Sequence, residues 1–199
     1  MDITIKKLTP ELAEDYASFF DATTHATGKE EHRCYCVWWS SGDIDKEEYG
    51  TVQQRRDLSV KWINDGSIQG YLAYHDGRVV GWCNANTKQD CYGSFCWSRF
   101  MGMVHRDPSD VKVKSVYCFC IAPEMYRKGV AGALLKRVCE DAAAEGFDYV
   151  EAYPNKAFVN TELDFMGPAS MYEKLGFAPL YEFEQSDGNR KMLMRKTLK

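Results

Sequence analysis

"VKVKSVYCFCIAPEMYRKGVAGALLKRVCEDAAAEGFDYVEAYP", residues 111–154, governs how the rest of the chain is read. Its first part is dense in β-branched and aromatic residues and predicts a strand. From residue 129 to 145 the period changes. Val130, Leu134, Leu135, Val138 and Ala142 recur at helical spacing until Gly146 offers a left-handed stop. "FDYVEAYP" is strand-like again, and strand, helix, strand in this order predicts a right-handed parallel crossover.

Working outward, "DITIKKL" alternates as a strand does, and "TPELAEDYASFFDAT" places Leu12, Tyr16, Phe19 and Phe20 on one helical face behind Thr9 and Pro10. "EEYGTVQQRRDLSVKWINDGS" predicts a second helix, stopped at Asp65-Gly66. "IQGYLAYHDGRVVGWCNAN" is a hairpin about Asp76-Gly77, and the chain closes on a second hairpin near Asp187-Gly188, after a short helix in "GPASMYEKLG". Residues 25–48, 87–110 and 154–167 are expected to be loops, the first ordered and with short helical pieces; 87–110 is unusually long for a compact domain, a mark of functional loops. The order predicts one α/β domain over residues 1–199, built on a mixed sheet.

Composition narrows the function. A net charge of −4 argues against general nucleic-acid binding, which needs a basic face. Neither a signal-peptide core nor a membrane-length apolar run is present, so the expected location is the cytoplasm. The eight cysteines lack C-x-x-C or Cys/His pairing, so buried thiols are expected and no metal. In "CYC" and "CFC" a strand would put both sulfurs on one face.

The helix opening "APEMYRKGVAGALLKRV", residues 122–138, sets Arg127 and Lys128 beside Gly129, Ala131, Gly132 and Ala133. The first turn of a helix has unpaired N–H groups and the positive end of the dipole, so small residues there let an anion approach main-chain donors. An ordinary strand-to-helix turn with solvated basic residues fits the stretch equally well. Neither GxxxxGK[ST] nor GxGxxG is present, which removes the P-loop and the dinucleotide fingerprint.

The stretch resembles motif A of the GNAT superfamily of acetyl-CoA-dependent N-acetyltransferases, [Q/R]-x-x-G-x-[G/A], here Tyr126, Arg127, Lys128, Gly129, Val130, Ala131. One position differs: Tyr126 stands where the family has Gln or Arg, and Arg127 follows one residue later. A second match is "SMYEKLGF", residues 170–177, similar to the family's "YEKxGF". The resemblance covers about residues 111–184, and the remaining elements agree in order.

The resemblance implies a single-domain α/β GNAT fold: a mixed, mostly antiparallel sheet of about six or seven strands flanked by about four helices, splayed between strands 4 and 5. It implies acetyl-CoA as co-substrate. Backbone groups of Phe119, Cys120 and Ile121 would pair with the pantetheine arm, and the amides of Arg127, Lys128, Gly129, Val130, Ala131 and Gly132 would hold the pyrophosphate. Tyr172 would be the general acid, since a phenol is protonated at neutral pH. The acceptor would be a small-molecule or peptide amine in a site roofed by the three loops, with Tyr35, Trp38, Trp39, Trp97 and Phe100 as aromatic candidates. Glu151 is a candidate general base beside a water chain. Asn155 is a candidate pantetheine contact, with an ordinary turn asparagine the favoured reading. An acyl-cysteine route through Cys118 or Cys120 is the weaker mechanism. A catalytically silent acyl-CoA sensor is the alternative function, with a cysteine-based metal or redox module as a third. The protein is expected to be a monomer or homodimer without nucleic-acid or membrane partners.

Overall fold

The computed structural model describes residues 2–23, 29–157, 164–185 and 188–199. Seven strands form one sheet: β1 (Thr4–Lys7), β2 (Gly70–His75), β3 (Arg78–Thr87), β4 (Val113–Ile121), β5 (Tyr149–Ala152), β6 (Ala178–Glu184) and β7 (Arg190–Thr197). Their order is β1-β2-β3-β4-β5-β7-β6. Among the described residues only β4 and β5 run parallel, and the helix between them is the crossover anticipated from residues 111–154.

The α-helices are α1 (Ala13–Ala22), α2 (Val52–Asn64), α3 (Phe95–Phe100), α4 (Val130–Ala144) and α5 (Ala169–Lys174). One more helix is present than expected, because α3 lies in the stretch 87–110 that was anticipated as loop. Six residues make under two turns, too few for a 3.6-residue period to declare itself. α1 follows a 3-10 turn at Pro10–Leu12 and buries Tyr16, Phe19 and Phe20. α2 begins with a full capping box, Thr51 Oγ1 accepting from the Gln54 N–H while the Gln54 side chain accepts from the Thr51 N–H. The first hairpin turns at Asp76-Gly77, both at positive φ. Asp187 of the second turn lies outside the described residues, as do residues 25–28 and 158–163 of the expected loops.

α4 buries Val130, Leu134, Leu135, Val138 and Ala142 against the sheet. Gly81 on β3 permits that contact: a Cβ there would come within 2.9 Å of both Ile121 Cδ1 and Val130 Cγ1. The start of α4 is thereby held against the end of β4.

All eight cysteines are thiols outside disulfides, seven of them buried, and no group of metal ligands occurs among the described residues. Cys118 and Cys120 share a strand as expected. Cys34 and Cys36 do not: Tyr35 and Cys36 adopt positive φ in a turn.

Lys114 on β4 is 4% exposed, its ammonium 4.5 Å from the Phe147 ring centroid and 3.5 Å from Gln69 Oε1. Burial lowers its pKa from 10.5 to about 8. Between those values the unfolded chain binds the proton that the folded chain has released, so stability rises with pH from about 8 to 10.5, and the penalty is complete below that window. Lys114→Met is therefore expected to stabilise the fold by about 2–3 kcal/mol at pH 7. Urea titrations at pH 7 and pH 9.5 check this, since the gain must shrink at the higher pH. A gain that is equal at both values would refute the titration argument.

Candidate active site

The parallel register of β4 with β5 runs from Val113↔Tyr149 to Val116↔Ala152 and ends there. Beyond it β4 stays with β3, while the chain after β5 leans to β7 through the Asn155↔Lys191 bridge and the Met192 N–H bond to Pro154 O (2.9 Å). The strands therefore splay, as expected. At the same point β4 carries a bulge: Asn84 faces Cys118 and Ala85 faces Val116, leaving Tyr117 as the extra residue. A bulge increases local twist, which turns β4 away from β5.

Peptide groups along β4 alternate between its two neighbours. The Phe119 N–H donates to Phe165 O (2.6 Å) on the gap side, and the Ala122 N–H donates to Val80 O (3.0 Å) on the β3 side. Phe119 and Ile121 thus direct their backbone groups into the gap. Cys120 directs its own toward β3, away from where the resemblance would have it pair with pantetheine.

The turn into α4 has Arg127 at φ 59° and Gly129 at φ 84°. Positive φ costs a non-glycine residue about 1 kcal/mol, and the alternation turns successive N–H groups toward one side, as anion-binding nests do. The first α4 amide with a carbonyl partner is that of Ala133, to Gly129 O (3.0 Å), so Val130, Ala131 and Gly132 offer their N–H groups outward. A Cβ at Gly129 or Gly132 would meet no atom within 4 Å. Nothing in the protein's own packing demands a glycine at position 132, where it weakens a helix by about 1 kcal/mol relative to alanine. The open backbone fits a bulky anion. Arg127 and Lys128 are exposed beside it.

Tyr172 is fully buried on α5, its hydroxyl donating to Met166 O at 2.5 Å and its ring edge-on to Phe177. Burial pushes its phenol well above the ordinary value, so it holds its proton. Met166 follows Phe165, the residue bonded to Phe119, so Tyr172 reaches the segment that fills the gap.

On the face of β4 opposite α4 lies a cavity of about 1080 Å³. Cys118 lines it, and strand alternation sets Cys118 on the side opposite Ile121, which meets α4. Trp38, Trp39 and Phe100 form its walls as anticipated, joined by Tyr49, Phe95 and Phe165, which were not singled out. Tyr35 and Trp97 instead pack in the core. Trp39 stacks on Tyr117 (5.4 Å, 17°), which stacks on Tyr153 (5.7 Å, 14°). The wall is pinned by buried Arg55, which donates to Glu31 O and Arg33 O (both 2.7 Å), Tyr49 O (3.0 Å) and Gly50 O (3.1 Å). A lone arginine in a helical pattern carries no sign of such a role.

Cys118 is pushed well above the ordinary thiol range, first by its hydrogen bond to Cys36 and then by burial. A protonated, buried thiol is a poor nucleophile, which disfavours the acyl-cysteine route. Glu151 is fully buried and bound to Lys88 (2.6 Å), to Arg195 and to Tyr153 OH (2.6 Å). Lys88 and Arg195 also hold Asp107, at 2.6 and 2.8 Å. Burial alone would raise the Asp107 carboxyl, but the two cations outweigh it and hold it below the usual range. His105 adjoins the set, its Nε2 3.5 Å from Asp107 and its carbonyl accepting from Lys88 (3.1 Å), and Glu151 is engaged in these ion pairs. Asn155 bonds Asp164 and lines the cavity.

The family model described as Acetyltransferase (GNAT) family matches residues 32–177. No curated protein sequence matches the chain. Among solved structures, a GNAT-family acetyltransferase from Streptococcus pneumoniae superposes with TM-score 0.58 at 17% identity, covering 98% of this chain and 99% of that one. A ribosomal-protein-alanine N-acetyltransferase from Brucella melitensis gives 0.55 at 16%, covering 98% and 99%. The Drosophila melanogaster polyamine N-acetyltransferase that forms N-acetylagmatine gives 0.59 at 12%, covering 98% and 100%. These structural likenesses establish the shared fold, and the family match spans most of the sequence: the chain belongs to the GNAT family of acetyltransferases.

Proposed function

We propose that this protein transfers an acetyl group from acetyl-CoA to a primary amine by direct attack in a ternary complex. The observation that carries the reading is the open, glycine-lined start of α4 on one side of the β4–β5 gap, with an aromatic cavity on the other. Acetyl-CoA supplies an activated acetyl thioester on a phosphate-bearing carrier. The amides of Arg127 and of Gly129 to Gly132 would hold the pyrophosphate, joined by that of Lys128 once it gives up Met125 O (3.3 Å), with the Arg127 and Lys128 side chains offsetting charge in an acidic protein. Ile121 presents backbone groups to a pantetheine arm in the manner of an added strand, and Phe119 would do so once it gives up Phe165 O. Tyr172 would protonate the departing thiolate, and the proton shed by the attacking nitrogen as the amide forms would restore the phenol. The amine sits in the cavity, where walls held by Arg55 fix its approach.

Thermal shift with CoA, acetyl-CoA and longer acyl-CoAs tests the reading, since a ligand at 100 times its Kd stabilises by about 2.7 kcal/mol. No shift with any of them would remove it. The double charge reversal Arg127→Glu/Lys128→Glu is expected to weaken acetyl-CoA binding by roughly tenfold or more, most strongly at low salt. Unliganded stability should move by less than about 0.5 kcal/mol, because both side chains are exposed.

A further inference from the structure

A second cavity, of about 450 Å³, opens at the start of β4, between the last residues of α2 and the end of α4. Sites for small molecules commonly occupy about 300–1,000 Å³. Leu8, Pro10, Ile63, Ile68 and Phe147 give this one apolar walls. Lys114, 4% exposed, is fixed among them by its register opposite Thr87 of β3 and Val150 of β5. Its ammonium meets Gln69 Oε1 at 3.5 Å and the Phe147 ring centroid at 4.5 Å, and both of those residues line the cavity, so the nitrogen stands in its wall. No carboxylate pairs with it among the described residues; Glu145, at the mouth, is bound to Lys7.

Burial outweighs the pull of Glu145, Asp90 and Cys91 toward the charged form, with Lys7 acting in the same sense as burial, and brings the pKa to about 8. At pH 7 about a tenth of the amine is then uncharged, against roughly one part in 2,500 for an exposed lysine. A desolvated, uncharged lysine amine adds to carbonyl compounds. The walls select among them. A carbonyl compound bearing a carboxylate or phosphate would bring negative charge into apolar space beside Glu145 and Asp65, whereas an uncharged one lays its hydrocarbon body against Phe147 and the aliphatic side chains.

We propose that Lys114 is an imine-forming site for small apolar aldehydes, separate from the acetyl-CoA site. The ammonium first releases a proton to water. Nζ then adds to the carbonyl carbon and passes a proton to the oxygen, and the carbinolamine loses its hydroxyl with the second N–H proton as water, leaving a neutral C=N bond. A buried charge is thereby removed, which favours the imine here over imines at the surface. The test incubates the full chain with isovaleraldehyde at pH 7.5, reduces imines to secondary amines with cyanoborohydride and follows each lysine by peptide mass spectrometry. Lys114 is expected to be labelled at least about tenfold faster than exposed Lys136, and several-fold more slowly with glyoxylate, the charged comparison, than with isovaleraldehyde. Lys114→Met is expected to lose that adduct alone and to leave the response to acetyl-CoA unchanged, because Lys114 lies near the opposite end of β4 from Ile121. Labelling is read residue by residue in the unaltered chain, so the folding of that variant does not enter the result. Labelling ranked by exposure, with Lys114 among the slowest lysines, would overturn the proposal, and a preference for glyoxylate would overturn the apolar class of ligand.

Discussion

Glu151→Ala is expected to destabilise the protein by about 3–5 kcal/mol, because it leaves Lys88 and Arg195 buried with only Asp107 between them. For a chain of this size that is a loss on the order of 10 °C in Tm. The cluster joins the end of β3, the segment before β4, β5 and β7, so the damage falls where β4 and β5 still pair, below the splay. Urea unfolding measures the cost, and acetyl-CoA affinity of the folded fraction should be unchanged. A general base would behave differently. Removing one lowers kcat and flattens the acidic limb of the pH–rate profile while sparing stability. That pattern in Glu151→Gln would reinstate the catalytic role.

Tyr172→Phe is expected to lower kcat by about 100-fold or more, the usual contribution of a positioned proton donor, with little change in the acetyl-CoA thermal shift. The hydroxyl now donates to Met166 O, so it must exchange that partner for the departing sulfur. Losing one buried hydrogen bond costs about 1–3 kcal/mol, which the fold should survive. Full activity in the variant would make Tyr172 a clamp on the segment 164–167 and nothing more. A large loss of acetyl-CoA binding with kcat retained would point the same way, through disorder at the gap.

The periodic elements were legible because burial imposes its own period on the residues that form them. Val130, Leu134, Leu135 and Val138 announce α4, and Asp76-Gly77 announces its hairpin through the positive φ that both residues adopt. α3 was not legible, being shorter than two turns. The backbone cradle at Arg127–Gly132 could be inferred locally, since helix-start amides and small side chains are properties of consecutive residues.

Side-chain destinations were different. Nothing in "NTKQD" distinguishes Lys88 as fully buried, and nothing local pairs Asp107 and Glu151 with Lys88 and Arg195, because those bonds join residues 19 to 88 positions apart. Trp38 reaches the cavity whereas Trp97 enters the core, although both lie in stretches without a period. The sequence by itself determined the order of elements, the crossover at residues 111–154 and the small-residue turn that opens the helix after β4, all of which follow from local spacing and backbone chemistry. The tertiary structure alone decided the splay at the Tyr117 bulge, the turning of Cys120's peptide groups toward β3 and the gathering of distant aromatic residues around one cavity. Each depends on which distant strand or loop a residue meets, and that is set by packing across the sheet.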